Sequence, residues 1–287
     1  MVANTLTQLD NVNGLVQEFW SPMFEKELRE STLWLGLTND PRYSLERIKG
    51  GDTFRVSKIN KPTSTIRSFG TDADSFDTNT LSTTQVNLVV NRRCTSAFEF
   101  DDLTDLFSQI EQDNSEIRLA LLADVREQAN DHIKSLISPS TSSPDHTVSS
   151  VTDYNATQLS IVRGLAAVAK WRSTGEPWFN LLSPSFYTDL MDATTLSASD
   201  TMGDGISPMV SGSFESRKRM GFNIIEDDSL SADTGFAFIP SFLKSIAGPP
   251  RFKVSDQHSN KRFAYIISVD FPLGAVQMDN TRVISIA

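Results

Sequence analysis

Apolar side chains recur at Ile117, Leu121, Val125, Ala129 and Ile133, every fourth residue without a break. That spacing lays one continuous stripe along a helix, and Leu122, Leu136 and Ile137 widen it. Asp113 and Glu116 suit a helix start, where acidic groups meet the positive end of the helix dipole. Pro139 and the surrounding SPSTSSPDH stop it. The spacing predicts a helix of about 25 residues within 108–137, roughly 38 Å long. Its other face is acidic: Glu116, Asp124, Glu127 and Asp131. An element of that length sets the dimension of the domain that holds it.

The stretch before it has a different texture. Thr53, Phe54, Val56 and Ile59 read as a strand, and strand signal returns at Gln85–Val90 and Thr95–Phe100. The middle, KPTSTIRSFGTDADSFDTNTLSTT, is rich in Ser, Thr, Asp, Gly and Pro and reads as an extended loop. Residues 51–100 therefore read as a long two-stranded excursion with a polar tip. A lone hairpin of that length is unstable in water unless something covers it. The sequence shows no intramolecular cover, which points to a neighbouring subunit.

Charge is segregated along the same stretch. Residues 42–67 hold seven basic side chains against Glu46 and Asp52, a net of +5. Residues 72–131 hold 13 acidic side chains against Arg92, Arg93, Arg118 and Arg126, a net of −9. The whole protein carries −10, so the second stretch holds nearly all of the excess. Two solvated faces would explain this. So would a basic strand of one copy lying over the acidic region of another, a complementarity that fixes register more than it adds affinity. The acidic balance argues against gripping duplex DNA through broad phosphate neutralisation.

The chain's 287 residues suffice for one large domain or two small ones. No stretch approaches the roughly 20 apolar residues that span a bilayer, and the start MVANTLTQLDNVNG lacks a signal peptide's basic head and apolar run. Residues 12–35 read as two short helices or one kinked at Pro22, with Trp20 and Trp34 in need of a partner surface. After a Ser/Thr/Pro-rich loop at 138–150, a mixed helix-and-strand region begins. Gln158–Trp171 and Pro184–Met191 read as helices, Trp178–Leu182 as a short apolar run, and 194–216 as a mobile loop. Phe222–Ile225, Gly235–Ile239, Phe263–Val269 and Arg282–Ile286 read as strands.

HExxH, GxSxG, the P-loop and GxGxxG are all absent. One cysteine and three histidines (His132, His146, His258) exclude a disulfide framework and leave little for a metal site. Cys94 reads as a packed thiol. Ser241-Phe-Leu-Lys244 matches the SxxK of penicillin-recognising enzymes without its companion motifs, and Lys244 reads instead as the cap of a short helix after Pro240. Asp227-Asp228 could be paired carboxylates at a strand end, with a turn or cap the commoner explanation. Asp72, Asp74 and Asp77 fail the EF-hand pattern and read as a solvated loop. Arg217-Lys218-Arg219 reads as a solvated turn, and the sequon Asn155-Ala-Thr157 carries no message without a secretory signal. No cofactor is expected, and the chain reads as a structural protein.

The order of these parts resembles the major capsid proteins of tailed double-stranded DNA bacteriophages, whose fold is named after phage Hong Kong 97. The carriers are the excursion from GGDTFRV to VNRRCTSAF, the long helix, FNIIEDDSL followed by FAFIPSFLKSI, and the ending RFAYIISVDFPLGAVQMDNTRVISIA. The resemblance implies an α+β chain divided as follows: an N-terminal arm and helix (1–50), an E-loop (51–100), a peripheral domain (101–151 and 259–287) holding the spine helix 108–137, and an axial domain (152–258). It implies an aromatic-rich strand, a Gly turn and a last apolar strand at the end. Each E-loop would reach over an adjacent subunit, with Lys58, Lys61 and Arg67 meeting Asp101, Asp102 and Asp105, and with Phe69 and Phe76 buried in the shell. Axial domains would meet at fivefold and sixfold centres through the 194–216 loop. Implied partners are further copies in pentamers and hexamers, a separate scaffolding protein, a portal protein and packaged DNA without sequence-specific contacts, with no membrane. The setting would be the virion, after assembly in the bacterial cytoplasm. The family's covalent cross-link is not expected, because nothing marks a partner for Lys58 or Lys61. An encapsulin-like shell, a tail or adaptor protein, and a hydrolase using Ser241/Lys244 or Asp227/Asp228 are the alternatives.

Overall fold

The structure, a computed structural model, describes residues 32–38, 53–63, 80–101, 115–193, 219–255 and 264–287. Its helices are α1 (Leu33–Thr38), α2 (Ser115–Ser135), α3 (Ala156–Val168) and α4 (Pro184–Asp192). Its strands are β1 (Thr53–Ile59), β2 (Thr83–Val89), β3 (Arg92–Asp101), β4 (Thr147–Val148), β5 (Trp178–Leu182), β6 (Phe222–Glu226), β7 (Gly235–Phe238), β8 (Leu243–Ala247), β9 (Arg251–Ser255), β10 (Ala264–Gln277) and β11 (Val283–Ile286).

The expected apolar stripe is the buried face of α2. Leu121, Val125, Ala129 and Ile133 are fully buried. The first three pack on Ile267, Val269, Phe271 and Leu273 of β10. Ile133 instead joins Trp34, Leu181, Phe238, Phe242, Leu243 and Val283. One helix thus seals two cores in succession. The expected helix start, before Ser115, lies outside the described residues.

Three sheets follow from the pairing. In the first, β1 and β2 form an antiparallel ribbon. In the second, β10 is central: β3 flanks one edge, while β9 and then β8 share the other. Pro272, with no N–H to give, falls in the gap between the β9 ladder (Ile266–Asp270) and the β8 ladder (Leu273–Gln277). The third runs β4-β11-β7-β5-β6 with mixed directions. Along its strands, alternate residues serve different cores. Leu182, Ile224, Ala237 and Ile284 face α3 and α4. Leu181, Ile225, Phe238 and Val283 face the Trp34 cluster. Burial on both faces explains why these strands read as solid apolar runs.

Several expectations change. Thr95–Phe100 is not part of the hairpin; it lies in β3 and pairs with β10. The hairpin's base has intramolecular cover, because Leu88 is fully buried against Ile246, with Phe54, Val90 and Val276 around it. Trp34 needs no partner surface, being fully buried within the chain, whereas Trp20 lies outside the described residues. The hydrogen-bond ladders also cross the expected domain limits: β8 and β9, from 152–258, pair with β10, and β4 and β11 join the sheet of β5–β7. The expected strand-to-helix step at FAFIPSFLKSI is a single 3-10 turn, Pro240–Phe242, leading into β8. Lys244 therefore caps no helix; pairing with β10 satisfies the backbone there instead. Asn155 caps α3, its Oδ1 accepting from Thr157 N at 2.9 Å and Gln158 N at 3.3 Å.

Nor does Gly274 form a turn. It sits inside β10 opposite Ile246, and the turn before β11 is instead the 3-10 turn Asn280–Arg282. A Cβ at Gly274 would stand 2.7 Å from Val89 O and 2.9 Å from Val90 Cα. The hairpin's return strand crosses β10 at that point, and only glycine leaves room. Gly274→Ala is therefore expected to displace the hairpin base and destabilise the chain by about 1–3 kcal/mol, read as a lowered urea midpoint with an unchanged slope.

Candidate subunit interface

Strand pleating gives the β1–β2 ribbon two unlike faces. The register pairs Phe54 with Leu88, Val56 with Val86 and Lys58 with Thr84. Paired residues share a face, so all six look toward the body. That face grades from apolar to polar. Phe54 and Leu88 pack on Ile246; Val56 and Val86 are half-buried; Lys58 and Thr84, with Asn60, line an open cleft of about 460 Å³ whose other wall is Ser138 and Gln277–Asn280.

Across the cleft, Lys58 Nζ donates to Asp279 Oδ2 at 2.8 Å. The carboxylate is well fixed: its Oδ1 accepts from Thr281 N at 3.1 Å and Thr281 Oγ1 at 2.7 Å. Arg282 Nε lies 3.3 Å from Oδ2. Gln277 stitches the cleft floor to the end of α2, accepting from Ser138 N at 2.9 Å and donating to Ser138 O at 2.7 Å. Burial pushes the Asp279 carboxyl up, but the hydrogen bonds from Lys58 and Thr281 outweigh it and hold it below the usual range.

The opposite face carries Thr53, Arg55, Ser57, Ile59, Thr83, Gln85 and Asn87, all exposed. Ile59 is 67% exposed and Leu81, just before β2, is 73% exposed. Sequence reasoning missed both. The signal was present, since an isoleucine on the polar-facing parity of an edge ribbon marks a contact surface.

Lys61 is exposed just past β1. The pleat turns Lys58 to the body and Ile59 outward, so Lys58 already has a partner within its own chain. Asp101 closes β3 opposite Ala264. Arg67, Phe69, Phe76, Asp102, Asp105 and the 194–216 loop lie outside the described residues, as do Asp72, Asp74 and Asp77.

The alternative catalytic groups are engaged in structure. Asp227 is fully buried, its Oδ2 accepting from Trp34 Nε1 at 2.7 Å and its Oδ1 from Ser229 N at 3.1 Å and Ser229 Oγ at 2.8 Å. Asp228 is exposed beside it, so the two do not form a carboxylate pair in one site. Ser241 Oγ accepts from Arg282 Nη1 at 2.6 Å, while its N donates to Glu176 Oε2 at 3.2 Å. Lys244 follows on a strand, not on the helix that the SxxK arrangement uses. Burial, with the Asp270 charge, pushes the Cys94 thiol up and keeps it neutral among Leu121, Phe271 and their neighbours. Among the described residues, no cluster of His, Cys, Asp or Glu is placed to hold a metal, and no helix is long and apolar enough to cross a membrane.

Trp34→Phe leaves the buried Asp227 Oδ2 without its indole donor and should destabilise the chain by about 1–3 kcal/mol in urea unfolding. Because the Asp279 carboxyl is depressed, its bond to Lys58 should be fully present above the ordinary aspartate value of about 4. The bond is lost only as pH falls below that, through the lowered folded value. Amide exchange in β1 and β2, corrected for intrinsic rates, should be flat from pH 7 to 5 and rise only in stronger acid.

No family model and no curated protein matches the sequence. Solved structures do match in three dimensions. One from Mycobacterium phage Che8 superposes with a TM-score of 0.71 at 17% identity, over 95% of this chain and 97% of that one. The cyanophage Pam1 capsid asymmetric unit gives 0.72 at 12% identity, over 95% and 96%. The mature capsid of bacteriophage PhiM1 gives 0.67 at 14% identity, over 94% and 91%. Near-complete coverage of both chains, with little shared sequence, is a likeness of architecture, and by it this α+β chain has the Hong Kong 97-like capsid fold.

Proposed function

We propose that this chain is the major capsid protein of a tailed double-stranded DNA phage, a structural protein without enzymatic activity that assembles into the icosahedral shell around the genome. The β1–β2 ribbon is then the E-loop and α2 the spine helix. The sheet around β10 forms the peripheral part, and the sheet carrying α3 and α4 the axial part. The observation that carries this reading, beyond the fold, is the hairpin's outer face. A two-stranded ribbon covered on one side only, with Ile59 and Leu81 in solvent, suits a strand pair that is completed by a neighbour.

In this reading the outer face lies on an adjacent subunit. Ile59 and Leu81 supply the apolar contact. Lys61 and Arg67, with Phe69 and Phe76 further along, meet the region of Asp101, Asp102 and Asp105. Copies gather in pentamers and hexamers, with the 194–216 loops toward the symmetry centres. A separate scaffolding protein and a portal protein take part in assembly in the bacterial cytoplasm, and the finished protein resides in the virion. The chain's net charge of −10 suits a container that confines DNA without gripping it.

Negative-stain electron microscopy of the protein expressed alone and with its neighbouring genes tests the reading. Closed shells tens of nanometres across are expected; a discrete small oligomer in both preparations would overturn it. Ile59→Asp with Leu81→Asp, both at solvent-facing positions, should leave the chain folded and cut the yield of assembled shells by roughly tenfold or more, given the apolar area that assembly then fails to bury.

A further inference from the structure

We propose that Lys58 and Asp279 form a latch within one subunit, fixing the pitch at which the β1–β2 hairpin leaves the body. The proposal rests on the shell reading for its consequence, the curvature between neighbours, but not for its geometry.

The hairpin touches the body at two places of different character. Its base is a packed pivot, where Leu88 is buried against Ile246 and Val89 crosses Gly274 without room for a Cβ. Four residues beyond Phe54, about 14 Å along the strand, Lys58 reaches the Asp279 carboxylate. Between the hairpin and the 277–280 segment lies an open polar cleft, so no close-packed surface holds the pitch there. Among the described residues, the ribbon is hinged at its base and restrained further out by the Lys58–Asp279 ion pair, and so behaves as a lever.

The receiving end is built to stay still. Asp279 gives one oxygen to Thr281 and the other to Lys58 and Arg282. Arg282 in turn donates to Ser241. Gln277, two residues upstream, shares two hydrogen bonds with Ser138 at the exit of α2. A pull on Lys58 is therefore passed to the long helix and to β10, not absorbed by a floppy turn. Lys58 is 59% exposed, so the bond is screened by salt and is weak enough to break during assembly. A strong clamp would lock one pitch, whereas one exposed pair sets a default that a neighbour can override.

The test compares Lys58→Gln, Asp279→Asn, their combination and Lys58→Arg in the full chain. Asparagine keeps an oxygen for Thr281 while removing the charge. Amide exchange of residues 53–59 and 83–89 is measured before assembly, and shell diameters after it. Each single variant is expected to speed exchange by roughly two- to fivefold, as suits an exposed ion pair. The double variant should be no faster than either, Lys58→Arg should keep the original rate, and shells should spread in diameter. Unchanged exchange in Lys58→Gln overturns the latch. If that variant also fails to assemble, Lys58 works across subunits instead. If only Asp279→Asn speeds exchange, Asp279 serves the 280–282 turn alone, and the latch again fails. Should the unaltered chain form no shells, exchange still reads the latch, so the two proposals fail separately.

Discussion

The indole of Trp34 sits where four parts of the chain meet, and the rest of the fold depends on that meeting. Its Nε1 donates to the buried Asp227 carboxylate after β6, and its backbone N donates to Asn130 Oδ1 on α2 at 3.1 Å. Its ring stacks on Phe238 of β7 with centroids 5.0 Å apart and meets Phe236 and Phe242 edge-on. A carboxylate removed from water is costly unless its oxygens are hydrogen-bonded. Here the indole and Ser229 meet that requirement, and the aromatic contacts add directional packing. The two larger sheets are thereby locked through one residue, by its ring and its backbone, to the helix that crosses both. The short α1 is bound at its other end too, where Thr38 Oγ1 donates to Trp34 O at 2.7 Å and lies 2.9 Å from Ser245 Oγ on β8.

A rigid body of that kind makes the hairpin conspicuous by contrast. Along β5, β6 and β7 every residue but Glu226 is buried or half-buried, and a residue slip would empty two cores at once. Along β1 and β2 the packing thins with distance from the base, from Leu88 through Val56 to Lys58 and Thr84. Adhesion to the body falls off accordingly, and an ion pair replaces close packing where the cleft opens. Such a gradient ties the near end most firmly, where Val89 crosses Gly274.

The parts legible in sequence were those whose burial follows a simple period. The α2 stripe, the helices beginning near Ala156 and at Pro184, and the apolar runs of β5, β6, β7 and β11 all announced themselves, because one or both faces are uniformly buried. Pairing was not legible. Nothing in TSAFEF distinguishes a hairpin strand from one that pairs with β10 far along the chain, because partner choice is a non-local property. Gly274 was misread for a related reason: a glycine in an apolar stretch signals either a turn or a close approach, and only the crossing of Val89 decides which. Lys244 and Asp227 were ambiguous because their roles depend on partners far away in the sequence, β10 for one and Trp34 for the other.

The charge pattern shows most clearly what a linear reading can and cannot carry. Seven basic residues within 42–67 suggested one basic surface opposite one acidic surface. Strand pleating divides any such run, sending alternate side chains to opposite faces. Lys58 and Arg55, three residues apart, therefore face the body and solvent respectively. The net charge of a strand segment is thus not the charge of either face. The body-facing share finds Asp279, some 220 positions later, and the outward share is left to solvent. The charge of the outward face must accordingly be judged from its own parity alone, where Arg55 and Ile59 alternate with hydroxyl and amide side chains.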